Sequence, residues 1–170
     1  NTVIMFVSDH GEMLGDHRAF VPPQPAGEPI AVYGDYDVDG VTSTALVTEV
    51  LTRLGWQVDC YLPHRLEEGY GLNEDSVANC LGKHSCSLLL AVDCGSTAVG
   101  AIEWLRQRGV DTIVLDHHQV RSPAPQPAAL VNPQVEPSSP YRVLCSAGLA
   151  FKLAHALVKR GRQVGLAPAA

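Results

Sequence analysis

Short apolar runs alternate with stretches of helical periodicity along most of the chain. The run PIAVY at 29–33 is followed by Val47, Val50, Leu51 and Leu54, spaced as on one face of a helix that ends at Gly55. Residues 58–62 predict a second strand, and Asn73 is placed to cap a helix reaching about Leu81. SLLLAV at 87–92 is apolar almost throughout, which suits a strand buried on both faces. A helix over 97–107 and a strand over 112–115 follow. Six prolines between Pro123 and Pro140 then predict a loop, and 149–158 a final amphipathic helix stopped by Gly161. Alternation of this kind implies an α/β fold: a mostly parallel sheet covered by helices on both faces. Such sheets bind ligands at the carboxyl ends of their strands.

Those ends carry an unusual set of residues. Asp35, Asp37 and Asp39 follow the first strand in GDYDVDG, Asp93 follows the third, and Asp116, His117 and His118 follow the fourth. If the backbone stays extended through GDYDVDG, alternate side chains share a face and all three acids point the same way. Like charges that close raise one another's pKa unless a cation lies between them. An acidic turn is the simpler account of one such segment, since Asp and Gly are ordinary turn residues. Acids and histidines after three buried strands favour a metal, provided the sheet order brings those strands together. Several Asp with one or two His and no Cys motif suit two divalent ions, manganese first, with magnesium or another transition metal as alternatives. Asp93 is then placed to bridge, with Asp37, Asp39 and His117 as outer ligands and Asp35 in the same motif. His118 is expected to polarise a phosphate or protonate a leaving group.

Further features point to anionic substrates. CGST after Asp93 and Ser146-Ala147-Gly148 each precede a predicted helix, whose free amides attract phosphate, although each also reads as an ordinary N-cap. In PHRLEEGYGLN, Arg65 suits a bidentate phosphate contact or a surface ion pair with Glu67 or Glu68. The net charge of −6 argues against a broad electrostatic grip on nucleic acid, so small substrates or cations are favoured. At 46% apolar and 18% charged residues the chain reads as globular. Its five cysteines include no Cys-x-x-Cys pair and predict reduced thiols. No apolar run approaches membrane-spanning length, and the first residues lack a signal-peptide pattern. A cytoplasmic protein that does not enter membranes is the expectation.

GDYDVDGVTSTALV, YLPHRLEEGYGLN, LLLAVDCGSTA, TIVLDHH and VLCSAGLAFKLAHAL, in that order, resemble the catalytic domain of the DHH phosphoesterases, most of all its RecJ-type single-strand exonucleases. The resemblance covers about 29–161. It implies a manganese- or magnesium-dependent hydrolase of phosphodiester or phosphoanhydride bonds. Asp37, Asp39, Asp93 and His117 would be metal ligands, His118 catalytic or phosphate-contacting, and Asp116 an orienting partner of the histidines. It also implies that the DHH-type unit is incomplete, ending before a last metal-binding Asp and a second domain. The substrates expected on that basis are small or activated phosphodiesters and phosphotriesters, with nucleic acid secondary. The alternative is an inactive metal- or nucleotide-binding remnant.

NTVIMFVSDHGEMLGDH, about 1–20, resembles instead a strand and loop of the sulfatase and alkaline phosphatase superfamily. Residues 21–28 read as a Pro-rich joint and 162–170 as a tail, so the chain looks chimeric. Two expectations follow: residues 1–28 either form a tail or edge cover or, through 2–7, add a strand that brings Asp9, His10 or His17 toward the metals, and uncovered apolar surface leads to a homodimer.

Overall fold

The computed structural model describes residues 29–163. Five parallel strands lie in the order β2-β1-β3-β4-β5: β1 (Ile30–Tyr33), β2 (Val58–Tyr61), β3 (Leu88–Val92), β4 (Asp111–Leu115) and β5 (Ala129–Val131). The helices are α1 (Val38–Arg53), α2 (Arg65–Glu68), α3 (Glu74–Lys83), α4 (Val99–Gln107) and α5 (Ser146–Gln163). The order places β1, β3 and β4 side by side, as convergence of their terminal residues requires.

Every residue of β1 and β3 is buried, which accounts for their unbroken apolar runs: such a strand has no solvent face on which a polar residue would be free. Alternate side chains feed two cores. Val32, Leu90 and Ile113 pack with Val47 and Leu51 of α1 and Leu149 and Leu153 of α5. Ala31, Tyr33, Leu89 and Val114 pack with Val77 of α3 and Ile102 and Leu105 of α4. Each fully buried aliphatic side chain contributes about 1.5–3 kcal/mol, and the helices are held chiefly by these faces. Asn73 caps α3 in a reciprocal box with Ser76.

Three expectations are corrected. The strand of GDYDVDG ends at Tyr33 and a helix begins at Val38, so the three acids do not alternate along an extended backbone. Asp37 is the N-cap of α1, its carboxylate accepting from the Gly40 amide at 2.8 Å, and Asp39 lies in the first turn. N-capping satisfies an amide that the helix itself leaves unpaired, and this local gain ends the strand early. Secondly, the Pro-rich segment holds a strand. Ala129, Leu130 and Val131 pair with Ile113, Val114 and Leu115, between prolines 127 and 133 that bound the run. At three residues on a sheet edge it is too short to register as a period. Thirdly, Gly161 does not stop the last helix, which starts at Ser146 and runs to Gln163 with Gly161 buried inside it. A short helix, α2, was also not expected. The N-terminal proposals for residues 1–28, with Asp9, His10 and His17, lie outside the described residues, as does most of the tail. No helix among the described residues is long and apolar enough to cross a membrane.

Candidate metal centre

At the carboxyl edge of the sheet, β1, β3 and β4 each release a segment that turns over the strand ends. Gly40 admits the first of these. A Cβ there would lie 2.5 Å from the backbone oxygen of Asp35, so only glycine lets α1 start against that turn. Asp93, directly after β3, adopts a left-handed backbone with φ of 64°, a conformation Asp tolerates better than most residues. Its amide still donates to the Leu115 carbonyl at 2.9 Å, so the strained residue stays attached to the sheet.

The turn carries Asp93 between two groups. Ligand atoms of Asp35, Asp37 and Asp93 lie within 4.8 Å of one another, and so do those of Asp93, His117 and His118. Asp93 belongs to both. Its two carboxylate oxygens are buried and accept no hydrogen bond among the described residues, and neither does Oδ2 of Asp35. Buried carboxylates without donors are costly. Burial, with Asp37 and Asp39 nearby, pushes the Asp93 pKa up to about 7, and burial raises that of Asp35. His117 Nε2 lies 3.4 Å from Asp93 Oδ1 and 3.8 Å from Asp39 Oδ2. A hard cation taking carboxylate oxygen and imidazole nitrogen fits this donor set, and it would supply positive charge beside these buried carboxylates.

Asp39 has a second attachment. Its two oxygens accept the amides of Ser146 and Ala147 at 2.7 and 2.9 Å, joining α1 to the start of α5. Burial opposes its ionisation, but the Ala147 and Ser146 amides hold its pKa below the ordinary value. The end of α5 that the sequence offers to phosphate is therefore already engaged by a carboxylate. Ser146 is buried there, and Gly148 lies within the first turn against Leu144. Similarly, the Ser96 amide of CGST donates to Asp116 Oδ2 at 3.0 Å.

Asp116 is the hub of the histidine segment. Its Oδ1 accepts the amides of His117 and His118 at 2.7 and 3.2 Å and lies 2.7 Å from His118 Nδ1. Burial alone would raise its pKa, yet the hydrogen bonds from Ser96 and His118 hold it low. An ionised Asp116 fixes the proton of neutral His118 on Nδ1 and leaves Nε2 as the free nitrogen. For His118 burial works against the cation, while Asp116 more than offsets it and raises the pKa. The role the resemblance implied for Asp116 thus has a geometry.

Arg65 stands with its guanidinium 5.0 Å from the Tyr36 ring centre and makes no ion pair with Glu67 or Glu68. Glu68 instead takes up Tyr61, Asn79 and the His64 amide. Sequence reasoning missed Asn132. Its Nδ2 donates to Ser96 Oγ at 2.6 Å and to the His118 carbonyl at 2.8 Å, bracing two of the site loops. A polar residue directly after an apolar triplet, in VNP, was the available signal.

An open parallel α/β sheet with carboxylates and adjacent histidines gathered over its central strand ends has the donor set of a divalent-metal site. Residues 29–168 match the N-terminal domain of the DHH family, and the chain belongs to that family. It is 42% identical over 132 residues to the single-stranded-DNA-specific exonuclease RecJ of Bacillus subtilis, covering 77% of this chain and 17% of that one. It also superposes on exonuclease RecJ bound to manganese with a TM-score of 0.71, at 38% identity, over 84% of this chain and 35% of the other. For RecJ of Thermus thermophilus in complex with Mn2+ the TM-score is 0.66 at 33% identity, over 84% of this chain and 19% of that one. The chain therefore spans about a fifth of the length of the curated relatives it matches.

Proposed function

We propose that this domain hydrolyses phosphodiester bonds at a two-metal centre, with manganese the preferred ion and an end of single-stranded nucleic acid the preferred substrate. The observation that carries the reading is Asp93, shared by both ligand groups, with its two oxygens buried and accepting no hydrogen bond among the described residues. The substrate class is supported by RecJ relatives described as specific for single-stranded DNA. Small activated diesters, the first expectation from sequence, need only the metal centre and serve as reporters of it.

Asp35, Asp37 and Asp93 would hold one ion; Asp93 and His117, with Asp39 alongside, the other. Bound there, the metals would supply Lewis acidity toward phosphoryl oxygen and lower the pKa of water. The remaining work falls to the chain. Asp116 orients His118, which as a cation would hold a phosphate oxygen or protonate the departing oxygen. Arg65, which pairs with no carboxylate among the described residues, would take a neighbouring phosphate through its planar fork. The Ser146 amide acts through Asp39, and Gly148 allows close packing of that turn.

The test is to strip the protein with a chelator and titrate manganese back. Hydrolysis of bis(p-nitrophenyl) phosphate and of an end-labelled DNA single strand is followed at each step. Saturable activity on both, abolished in Asp37→Ala, is expected. A folded protein inactive at every manganese level would instead establish the metal- or nucleotide-binding remnant. A homodimer is a separate expectation; a monomer mass in light scattering would reject it.

A further inference from the structure

Asn132 is 8% exposed and directly follows the edge strand β5. The register pairs Leu115 with Val131, and the Asp116 amide donates to the Val131 carbonyl at 3.1 Å, so Asn132 stands level with Asp116. Pro133 comes next, and a residue before proline favours extended backbone, which narrows the directions open to the Asn132 side chain. Its Oδ1 accepts the Gln134 amide at 2.8 Å. With Oδ1 engaged there, the two Nδ2 hydrogens are left for Ser96 and His118.

The bonds made from there close on themselves. Nδ2 donates to Ser96 Oγ at 2.6 Å, and the Ser96 hydroxyl bonds in turn to Asp116. Asp116 Oδ1 faces His118 Nδ1 at 2.7 Å and accepts the His118 amide at 3.2 Å. Nδ2 also donates to the His118 carbonyl at 2.8 Å, which completes the circuit. Ser96 and Asp116 are each 1% exposed, so solvent has little access to these bonds. In such a setting linked hydrogen bonds polarise and strengthen one another. The His118 backbone is thereby gripped at its amide and at its carbonyl, and its imidazole at Nδ1.

We propose that Asn132 is a positioning residue for the reaction: by closing this circuit it places His118 so that Nε2 meets the departing oxygen. The proposal rests on the hydrolytic reading and gives the short strand β5 a task. As the bond between phosphorus and the departing oxygen breaks, the Nε2 proton of cationic His118 passes to that oxygen, while the Nδ1 proton stays on the Asp116 side. This transfer needs hydrogen-bond reach, and a misplacement of about 1 Å costs on the order of a hundredfold in rate. Asp116 selects the tautomer; Asn132 sets where the residue carrying the ring stands. Were Asn132 only a filler of the strand end, its loss would reduce the folded fraction and slow every substrate alike.

The test compares the p-nitrophenyl and phenyl esters of thymidine 5′-phosphate on the manganese-loaded full chain. The esters differ in how much the departing group needs a proton: p-nitrophenolate leaves readily without one, and phenolate does not. Asn132→Ala should lose about tenfold or more in kcat on the phenyl ester, with KM unchanged, and little on the p-nitrophenyl ester. Ser96→Ala opens the circuit with almost no loss of volume. It should show the same selectivity to a smaller degree, and it carries the test if Asn132→Ala does not fold. A second readout needs neither metal nor turnover. In chelator, hydrogen exchange at the Ser96 and His118 amides, both bonded to Asp116, should quicken by about tenfold more than at the amides of β3, the scale of one buried hydrogen bond. Equal losses on the two esters, or Ser96 and His118 amides that quicken no more than those of β3, would each overturn the proposal. A parent that cleaves neither ester, with variants that still show the amide response, would keep Asn132 as the residue that places His118 and reject the hydrolytic reading.

Discussion

Replacing Asp93 with asparagine should stabilise the metal-free protein while abolishing its stabilisation by metal. The side chain is 1% exposed and its two oxygens accept no hydrogen bond among the described residues, His117 Nε2 standing 3.4 Å from Oδ1. Burial, reinforced by Asp37 and Asp39, raises its pKa from 3.8 to about 7. At 1.36 kcal/mol per unit, the ionised form costs the fold about 4 kcal/mol. The sign follows from linkage. A folded pKa above the unfolded value means that the proton favours the folded state. The associated stability is complete below about pH 4 and disappears as pH rises through about 7. Asp35, also raised, acts in the same direction, whereas Asp39 and Asp116, held low, lose their contribution only in more acidic solution. Asparagine removes the charge but leaves a buried amide short of partners, at about 1–3 kcal/mol. The net gain in chelator at pH 8 should be about 1–3 kcal/mol, vanishing toward pH 5. Urea unfolding from pH 5 to 8 measures both the gain and its slope. With manganese the order should invert, the parent gaining stability by mass action and the variant gaining little. If Asp93→Asn is no more stable than the parent at pH 8 in chelator, and their pH slopes coincide, the electrostatic account of this site is wrong.

Two further substitutions probe the supports of the site. Asp116→Asn keeps the shape, but with its oxygen turned to the histidine amides it sets an NH2 against the Ser96 amide. It should cost about 2–3 kcal/mol in urea unfolding and lower the His118 pKa in a metal-free NMR titration; an unmoved His118 would remove Asp116 from its orienting role. Gly40→Ala places a methyl group 2.5 Å from the Asp35 backbone oxygen. A loss of about 1–3 kcal/mol is expected, together with weaker manganese binding by calorimetry; unchanged affinity would show that Asp35 is not a ligand.

The sequence by itself determined the layout of this domain. Strands β1, β3 and β4 were legible because central parallel strands are buried on both faces and are apolar through most or all of their length, and the chemistry directly following each run was therefore legible too. From GDYDVDG to TIVLDHH, the order of motifs sufficed to recognise the family. What only the tertiary structure decided was how the acids differ from one another. Asp37 caps a helix, Asp39 reaches amides more than a hundred residues away, and Asp35 is left buried with an oxygen that accepts no hydrogen bond among the described residues. The strand β5 was hidden among prolines because its pairing partner, rather than its three residues, makes it a strand. Asn132 was invisible because its partners, Ser96 and His118, come together only once β3 and β4 are neighbours. Local patterns reveal how much of a segment is buried; which carboxylate finds a donor depends on crossovers and register. That distinction places Asp93, rather than the conspicuous triplet of acids, in both candidate ligand groups.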